Sequence, residues 1–587
     1  MPQVRIKPLP IFPKSHLKSA ADMDSSTPDV SGPVFHILPK DVLTLRPDPF
    51  AIIYSIAAIV FLAYVVPYAV DPYGLRRYPG PLGAKLTEFW LAWAVGHNRW
   101  SETVHEIHKK YGTFARVSPN HISIADSSAM SAVYGHATGT LKAPFYDTFS
   151  EFRERNMFNT RSREEHARKR RLESHMFANH NVLALESTTR LHFKALTLQW
   201  DKLCEYGENA KGGNSEGLLG YSAWKARDSR VWFNCMPWFS FWSFDTIGDL
   251  AFGSPFGMLP EGKDIARVAT STQAALDAIA RSSSDGEQSD IETEEIPIIE
   301  VLSVRADAIA GLAFLPMRWQ RIVGRLPQFR KGVDFSSKLA GLSIAAVAKR
   351  LAQPEAKEDM LRRLLEGRDE DGKPMGPEEL GAESFLLIIA GADTVANTSC
   401  AITYYVSRDQ RVQEKLQAEL DDALATVDDA VAPYNTVKDL PYLDAVINEG
   451  LRLHSTIGAG LPRIVPPGGL TVLGKHFKEG TWLSVPTYTM QRDEAVWGKN
   501  AGEFYPERWI EVDGEAKKEM MRAFAPFSLG PRACIGRNLA LMQLHIMVAT
   551  LFRRYSTVLE TKAPLQVQDT LVRKPKNCII GVKRRAI

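Results

Sequence analysis

The chain has 587 residues, 45% of them hydrophobic, and a formal net charge of +3. That is material for a large buried core, too long for one small domain, and its near-balanced charge gives no sign of a nucleic-acid binder, which concentrates basic excess on one element. The five cysteines (Cys204, Cys235, Cys400, Cys534, Cys578) stand far apart with no CxxC pair, a pattern that argues against a zinc site or disulfide framework and fits a reducing compartment.

Residues 1–49, rich in Pro, Ser and Lys, read as a disordered extension. The basic stretch Arg5–Lys18 has some transit-peptide character, but Asp22, Asp24 and Asp29 follow it, and transit peptides are poor in acids. Phe50–Val70 carries no charge and matches the roughly 20 apolar residues that a bilayer span needs. A buried helix is the alternative, and Pro67 interrupts the run near its end. A run starting at Phe50 fits a cleaved signal peptide poorly. Arg76 and Arg77 behind it favour a cytosolic body, although Lys40 and Arg46 ahead of it weaken that rule. Residues 71–82, with Tyr78-Pro79-Gly80-Pro81, read as a stiff linker.

From 83 to 587 the pattern is mainly α with small β-sheets, a single large domain without internal repeats. Val104, Ile107, His108 and Tyr111 share one face of a helix opening at Ser101-Glu102. Phe114–Ile124 reads as a hairpin turning at Pro119-Asn120. The acidic, Ser-rich stretch 281–296 reads as a solvated surface insertion. Gly376-Pro377-Glu378-Glu379 starts a helix, with proline in the first turn and acids at the positive dipole end. No breaker follows until about Arg408, which predicts a rod of about 45 Å. Val412, Leu416 and Leu420 mark the next helix, and Tyr442–His454 another. Arg463–Pro486 reads as short strands, and Gly536–Tyr555 as a last long helix.

The most informative stretch is Phe527–Gly536, FSLGPRACIG, which delivers one cysteine to the start of an apolar helix. Backbone amides and a helix N-terminus favour a thiolate there. Gly530 and Gly536 allow tight turns, Phe527 can cover the sulfur, and Arg532 can meet an anion with a charge-assisted bond. Taken alone, the cysteine is equally a buried inert one. The whole spacing, Phe-x-x-Gly-x-Arg-x-Cys-x-Gly, resembles the haem-binding signature of the cytochrome P-450 family. The resemblance implies that family's fold, haem b as cofactor and Cys534 as its metal ligand, a thiolate that favours O–O cleavage.

Other stretches fall in the family's order. Ala390-Gly391-Ala392-Asp393-Thr394, midway along the long helix, resembles the oxygen-activation motif and implies that Asp393 and Thr394 relay protons. Their small neighbours let a ligand approach the backbone; the plainer reading is a threonine bonded to its own helix. Val395 replaces the hydroxyl residue more often seen next. Glu449, Arg452 and Arg508 resemble the Glu-Arg-Arg triad that supports the haem pocket. His166 and Arg170, four apart, match the propionate-binding helix, with His166 in the usual Trp position; Arg463 is a further propionate candidate. Tyr146, Phe149 and Arg153 on one side, and Ile457–Leu461 on the other, are candidates to line the substrate pocket.

The likeness runs from about Pro79 to Arg585. Longer stretches, among them Met157–Arg161, Phe244–Phe252 and Ser484–Tyr488, resemble the fungal benzoate 4-monooxygenases. They imply insertion of one oxygen atom from O2 into a small aromatic acid. The extension, the acidic insertion and Val395 depart from that pattern and leave tailoring of a secondary metabolite open. A haem-thiolate isomerase or dehydratase that uses no O2 has no need of the Asp393-Thr394 pair, and a haem sensor or carrier fits the anchor poorly. No GxGxxG fingerprint follows a strand, so electrons are expected from a separate NADPH-dependent flavin reductase, steered by Lys517, Lys518, Arg537, Arg553 and Arg554 or by none of these ordinary surface charges. The expected location is a single-pass anchor in the endoplasmic reticulum membrane with a cytosolic catalytic domain.

Overall fold

In the computed structural model the uncharged run forms one helix, Pro49–Val70. Its 22 residues span about 33 Å, enough for a hydrocarbon core, and none of its described side chains is buried. Pro67 falls in the last turn, so the helix is not broken at its centre. The structure describes residues 48–209, 215–285, 291–352 and 359–586. It divides into two units, 1–61 and 62–587; the extension read over 1–49 lies, but for its last two residues, outside the described residues.

Residues 71–82 are not a free linker. Leu75 and Tyr78 are buried in an apolar cluster, with Tyr78 stacked on Phe477 at 5.5 Å. Pro79 accepts a hydrogen bond from the Arg116 amide (2.8 Å), and a side chain at Gly80 would collide with the Arg116 carbonyl. The Pro/Gly stretch is therefore packed as part of the larger unit. Proline and glycine were needed for close approach to a strand, not for reach.

The Pro377–Arg408 helix is the axis of the body. Proline at its first turn and Glu378-Glu379 behind it start it as predicted. Its length would also cross a membrane, but it is mostly buried, as befits a core helix. Around it pack Met236–Phe252, Pro441–His454 and Arg537–Arg554. Glycines set two of these contacts: Ile247 fills the space beside Gly391, and Ile402 the space beside Gly450. The aromatic run over 238–244 made the Met236–Phe252 helix apolar all round, and it is accordingly buried on every side. Its own Trp238 and Trp242, and Trp200 packed against its Phe239, are fully buried.

Two five-stranded sheets flank the helices. In the first, Phe114–Ser118 pairs antiparallel with His121–Ile124, the predicted hairpin; Trp482–Ser484, Arg463–Ile464 and Leu141–Lys142 follow in that order. In the second, Tyr555–Leu559, Ile579–Arg584, Arg230–Asn234, Ser222–Arg227 and Ser215–Leu219 lie side by side. The acidic stretch 281–296 is more regular than a solvated loop. Its start continues the Thr272–Asp285 helix, and Thr293–Ile296 pairs antiparallel with Ala266–Ala269. Only Ile296 of that strand is buried, so the acids keep their water; residues 286–290 lie outside the described residues.

Candidate active site

Cys534 stands between a short 3-10 turn, Gly530–Arg532, and the Arg537–Arg554 helix. Its amide donates to the Phe527 carbonyl (2.9 Å), which closes the loop. Gly530 is obligatory: φ is +73°, and any side chain would strike the Tyr134 carbonyl. Gly536 is not, since φ is −81° and a Cβ would meet only Phe177 at 3.9 Å. Cys534 presents accessible surface although the body surrounds it, whereas the other four cysteines have almost none. Burial by the surrounding body raises the Cys534 thiol above its ordinary value; the Gly536 amide, Arg170 and Arg537 oppose that rise without cancelling it. The loop's own donors thus act in the direction the sequence leads one to expect, against a larger cost of burial. Phe527 is half-buried, with the Arg537 guanidinium 5.9 Å from its ring.

On the long helix, Ala390 is exposed although Ile388 and Ala392 are fully buried. Exposure in the middle of a core helix marks internal space. Gly391 does not open it, because Ile247 occupies that side. The Thr394 hydroxyl donates to the Ala390 carbonyl (2.7 Å), the plainer of the two readings. Asp393 is held by Lys574 (3.1 Å) and Asn397 (3.2 Å). Val395 is buried in the core.

Cations gather beside the cysteine loop. Arg463 donates to the Tyr146 hydroxyl (2.6 Å). Lys142, fully enclosed, donates to the Met157 carbonyl (3.0 Å) and the Phe158 carbonyl (2.5 Å). Burial, then Arg532 and Arg463, push its amine well below the ordinary value, and Glu383 opposes them. Burial lowers the Arg532 guanidinium to about 10. Its Nη1 is buried and has no hydrogen-bond partner, while Nη2 makes a long bond to the Ser162 carbonyl (3.4 Å). Arg170 donates to the Ala533 carbonyl (2.8 Å), next to the cysteine, and His166 is buried on the same helix, Arg163–Ser174. An unpaired buried cation is costly, and this group fits a cofactor that carries two carboxylates. Lys142 and Lys574 escaped the sequence reading: each meets its partners across long stretches of chain, and no local pattern marks either.

Glu449, Arg452 and Arg508 do converge. Arg452 forks onto both Glu449 oxygens at 2.8 Å, and Arg508 Nε reaches Oε1 at 3.0 Å. Trp509 Nε1 and the Tyr505 amide add donors at 2.9 Å. Arg452 also holds the carbonyls of Gln491, Ala501 and Glu503. The Glu449–Arg452 pair is wholly buried.

The family model for cytochrome P450 matches residues 79–582. The chain belongs to the cytochrome P450 family. This P450 is 37% identical over 553 residues to a benzoate 4-monooxygenase of Aspergillus niger, covering 93% of this chain and 99% of that one. It is 30% identical over 494 residues to a cytochrome P450 monooxygenase of Pyricularia oryzae, covering 81% and 83%. A crystallographic cytochrome P450 haem domain superposes with a TM-score of 0.66 over 87% of this chain and 98% of its own; at 17% identity that likeness concerns fold alone. Membership makes this P450 a haem-thiolate monooxygenase that needs dioxygen, an organic substrate and a reductase as redox partner.

The five cations expected to steer that reductase do not form one free patch. Arg553 donates to Leu424 (2.7 Å), Arg554 pairs with Asp201 (2.7 Å), Lys517 donates to the Trp509 carbonyl and Lys518 pairs with Glu515 (3.0 Å). They are largely spent within the P450, three of them on backbone carbonyls or a half-buried acid; Arg537 is exposed. Among the pocket candidates, Tyr146 and Phe149 are buried, but Arg153 is exposed, its amide donating to Glu378. Gly458 to Gly460 are buried, and Ile457 and Leu461 partly so. A cavity of about 360 Å³ lined by His105, His108, Arg492 and Asp493 includes none of the predicted site residues.

Proposed function

We propose that this P450 inserts one oxygen atom from O2 into a small aromatic acid, para-hydroxylating benzoate or a close analogue. The near full-length likeness to the Aspergillus benzoate 4-monooxygenase carries the reading. Cys534 is the proposed iron ligand of haem b, which supplies dioxygen activation once bound. Arg532, with its unpartnered Nη1, and Arg463, His166 and Arg170 are the proposed propionate partners. Phe527 screens the sulfur from water. Asp393 and Thr394 hold and pass protons. For that the Thr394 hydroxyl must turn from the Ala390 carbonyl, and Asp393 must exchange Lys574 for water or substrate. Electrons come from a separate NADPH-dependent flavin reductase. Pro49–Val70 anchors the chain in the endoplasmic reticulum membrane, with the catalytic domain in the cytosol.

Titrating benzoate into the ferric protein is expected to shift its spin-state spectrum, and turnover with a fungal reductase to yield 4-hydroxybenzoate. No spectral response to benzoate or its simple analogues would refute the substrate. Oxygen uptake tied to product separates this reading from an isomerase or dehydratase.

A further inference from the structure

Three cysteines that the sequence scatters come together in the core. Cys235 caps the start of the Met236–Phe252 helix, Cys400 lies on the long helix, and Cys578 immediately precedes the strand Ile579–Arg584. The Cys235 amide donates to the Cys578 carbonyl (3.0 Å), which sets the two residues side by side. All three sulfurs lie within 4.8 Å of one another, and those of Cys235 and Cys400 are 4.0 Å apart. Exposure is 0%, 0% and 2%, within the main apolar cluster.

Distance separates the chemistries open to such a trio. A disulfide needs sulfurs about 2.05 Å apart, so two packed elements would have to close by nearly 2 Å. A metal ion about 2.3 Å from each of three sulfurs sets them about 4.0 Å apart, the separation already present between Cys235 and Cys400. Thiolates select soft ions. Among the described residues no imidazole or carboxylate joins the group, so the four-ligand shell of structural zinc is incomplete. We propose that Cys235, Cys400 and Cys578 form a buried three-sulfur site for one copper(I) ion, distinct from the Cys534 centre. Loading replaces one thiol proton, released to solvent as the chain folds, while the other two sulfurs bind as neutral thiols, so the apolar core gains no net charge; no electron is transferred, since the ion enters as copper(I). The closed core requires that it enter during folding. The bound ion would pin the long helix to the sheet.

The test uses the full chain with haem, expressed in copper-supplemented medium and purified anaerobically in the presence of a copper(I) chelator. One copper per chain is expected, with three sulfur neighbours by copper-edge X-ray absorption. Cys400→Ser and Cys578→Ser should each lower retained copper at least roughly tenfold, and Cys204→Ser should leave it unchanged. The carbon-monoxide Soret band of the reduced protein should stay the same in all of them. Copper that survives both substitutions, or that is not retained by the parent, overturns the site. If the variants do not fold, a parent spectrum with fewer than three sulfur neighbours overturns it equally.

Discussion

Arg532 shows how much rests on single groups near the cysteine. Its guanidinium is burdened by burial and keeps one donor unsatisfied, so its charge is expected to be matched by a propionate. Arg532→Gln should lower haem content per chain several-fold while leaving the red-shifted carbon-monoxide Soret band in the fraction that still binds. The ratio of Soret to protein absorbance measures this, and unchanged content would remove Arg532 from the propionate set. Cys534→Ala should abolish that band altogether. Thr394 bears on protons rather than on binding. Thr394→Ala should raise hydrogen peroxide formed per NADPH at the expense of product, and fully coupled turnover in that variant would reject the relay.

Between elements, the buried charge network around Glu449 ties the Pro441–His454 helix to the segment 491–509. Removing one partner strands the others in the core. Arg452→Met is therefore expected to cost about 3–5 kcal/mol in urea unfolding. Lys518→Ala, which breaks an exposed pair with Glu515, should cost under about 1 kcal/mol. The Gly450–Ile402 contact offers a second check on helix packing. A methyl at Gly450 has no room beside Ile402, and Gly450→Ala should cost about 1–3 kcal/mol by overpacking.

For the whole molecule, pH acts through histidines held neutral by burial. Burial lowers His121 and His454 to about 3, and His108 to about 4. The unfolded chain binds protons below about 6.5 and the folded one does not until about 3 to 4. Stability is thus fully present above pH about 6.5 and falls as pH drops toward those values. Urea midpoints at pH 7 and pH 5 should differ in that sense, and His454→Gln should reduce the difference; an identical slope in the variant would exclude His454 as a contributor. At the other end of the chain, deleting residues 1–70 should move the protein from the membrane fraction to the soluble one without loss of the Soret band.

The legible features were those complete within a few residues. The cysteine loop, the proline-and-acid start of the long helix, the Phe114–Ile124 hairpin and the uncharged run each carry their whole geometry in local spacing, because turn chemistry, helix dipoles and hydrophobic period act over one or two turns. Family order then tied the Glu449, Arg452 and Arg508 signals together, and the structure brings those three side chains into one buried network. What stayed hidden were meetings between remote segments: Lys142 with Arg463 and Arg532, Lys574 with Asp393, residues 71–82 against Arg116 and Phe477, and the three cysteines of the core. A side chain's charge or thiol is written in the chain, but its partner is chosen by which helices and strands pack together. Only that packing also reveals that Arg553 and Arg554 already hold Leu424 and Asp201, while Arg532 keeps a buried Nη1 without a partner beside the cysteine loop.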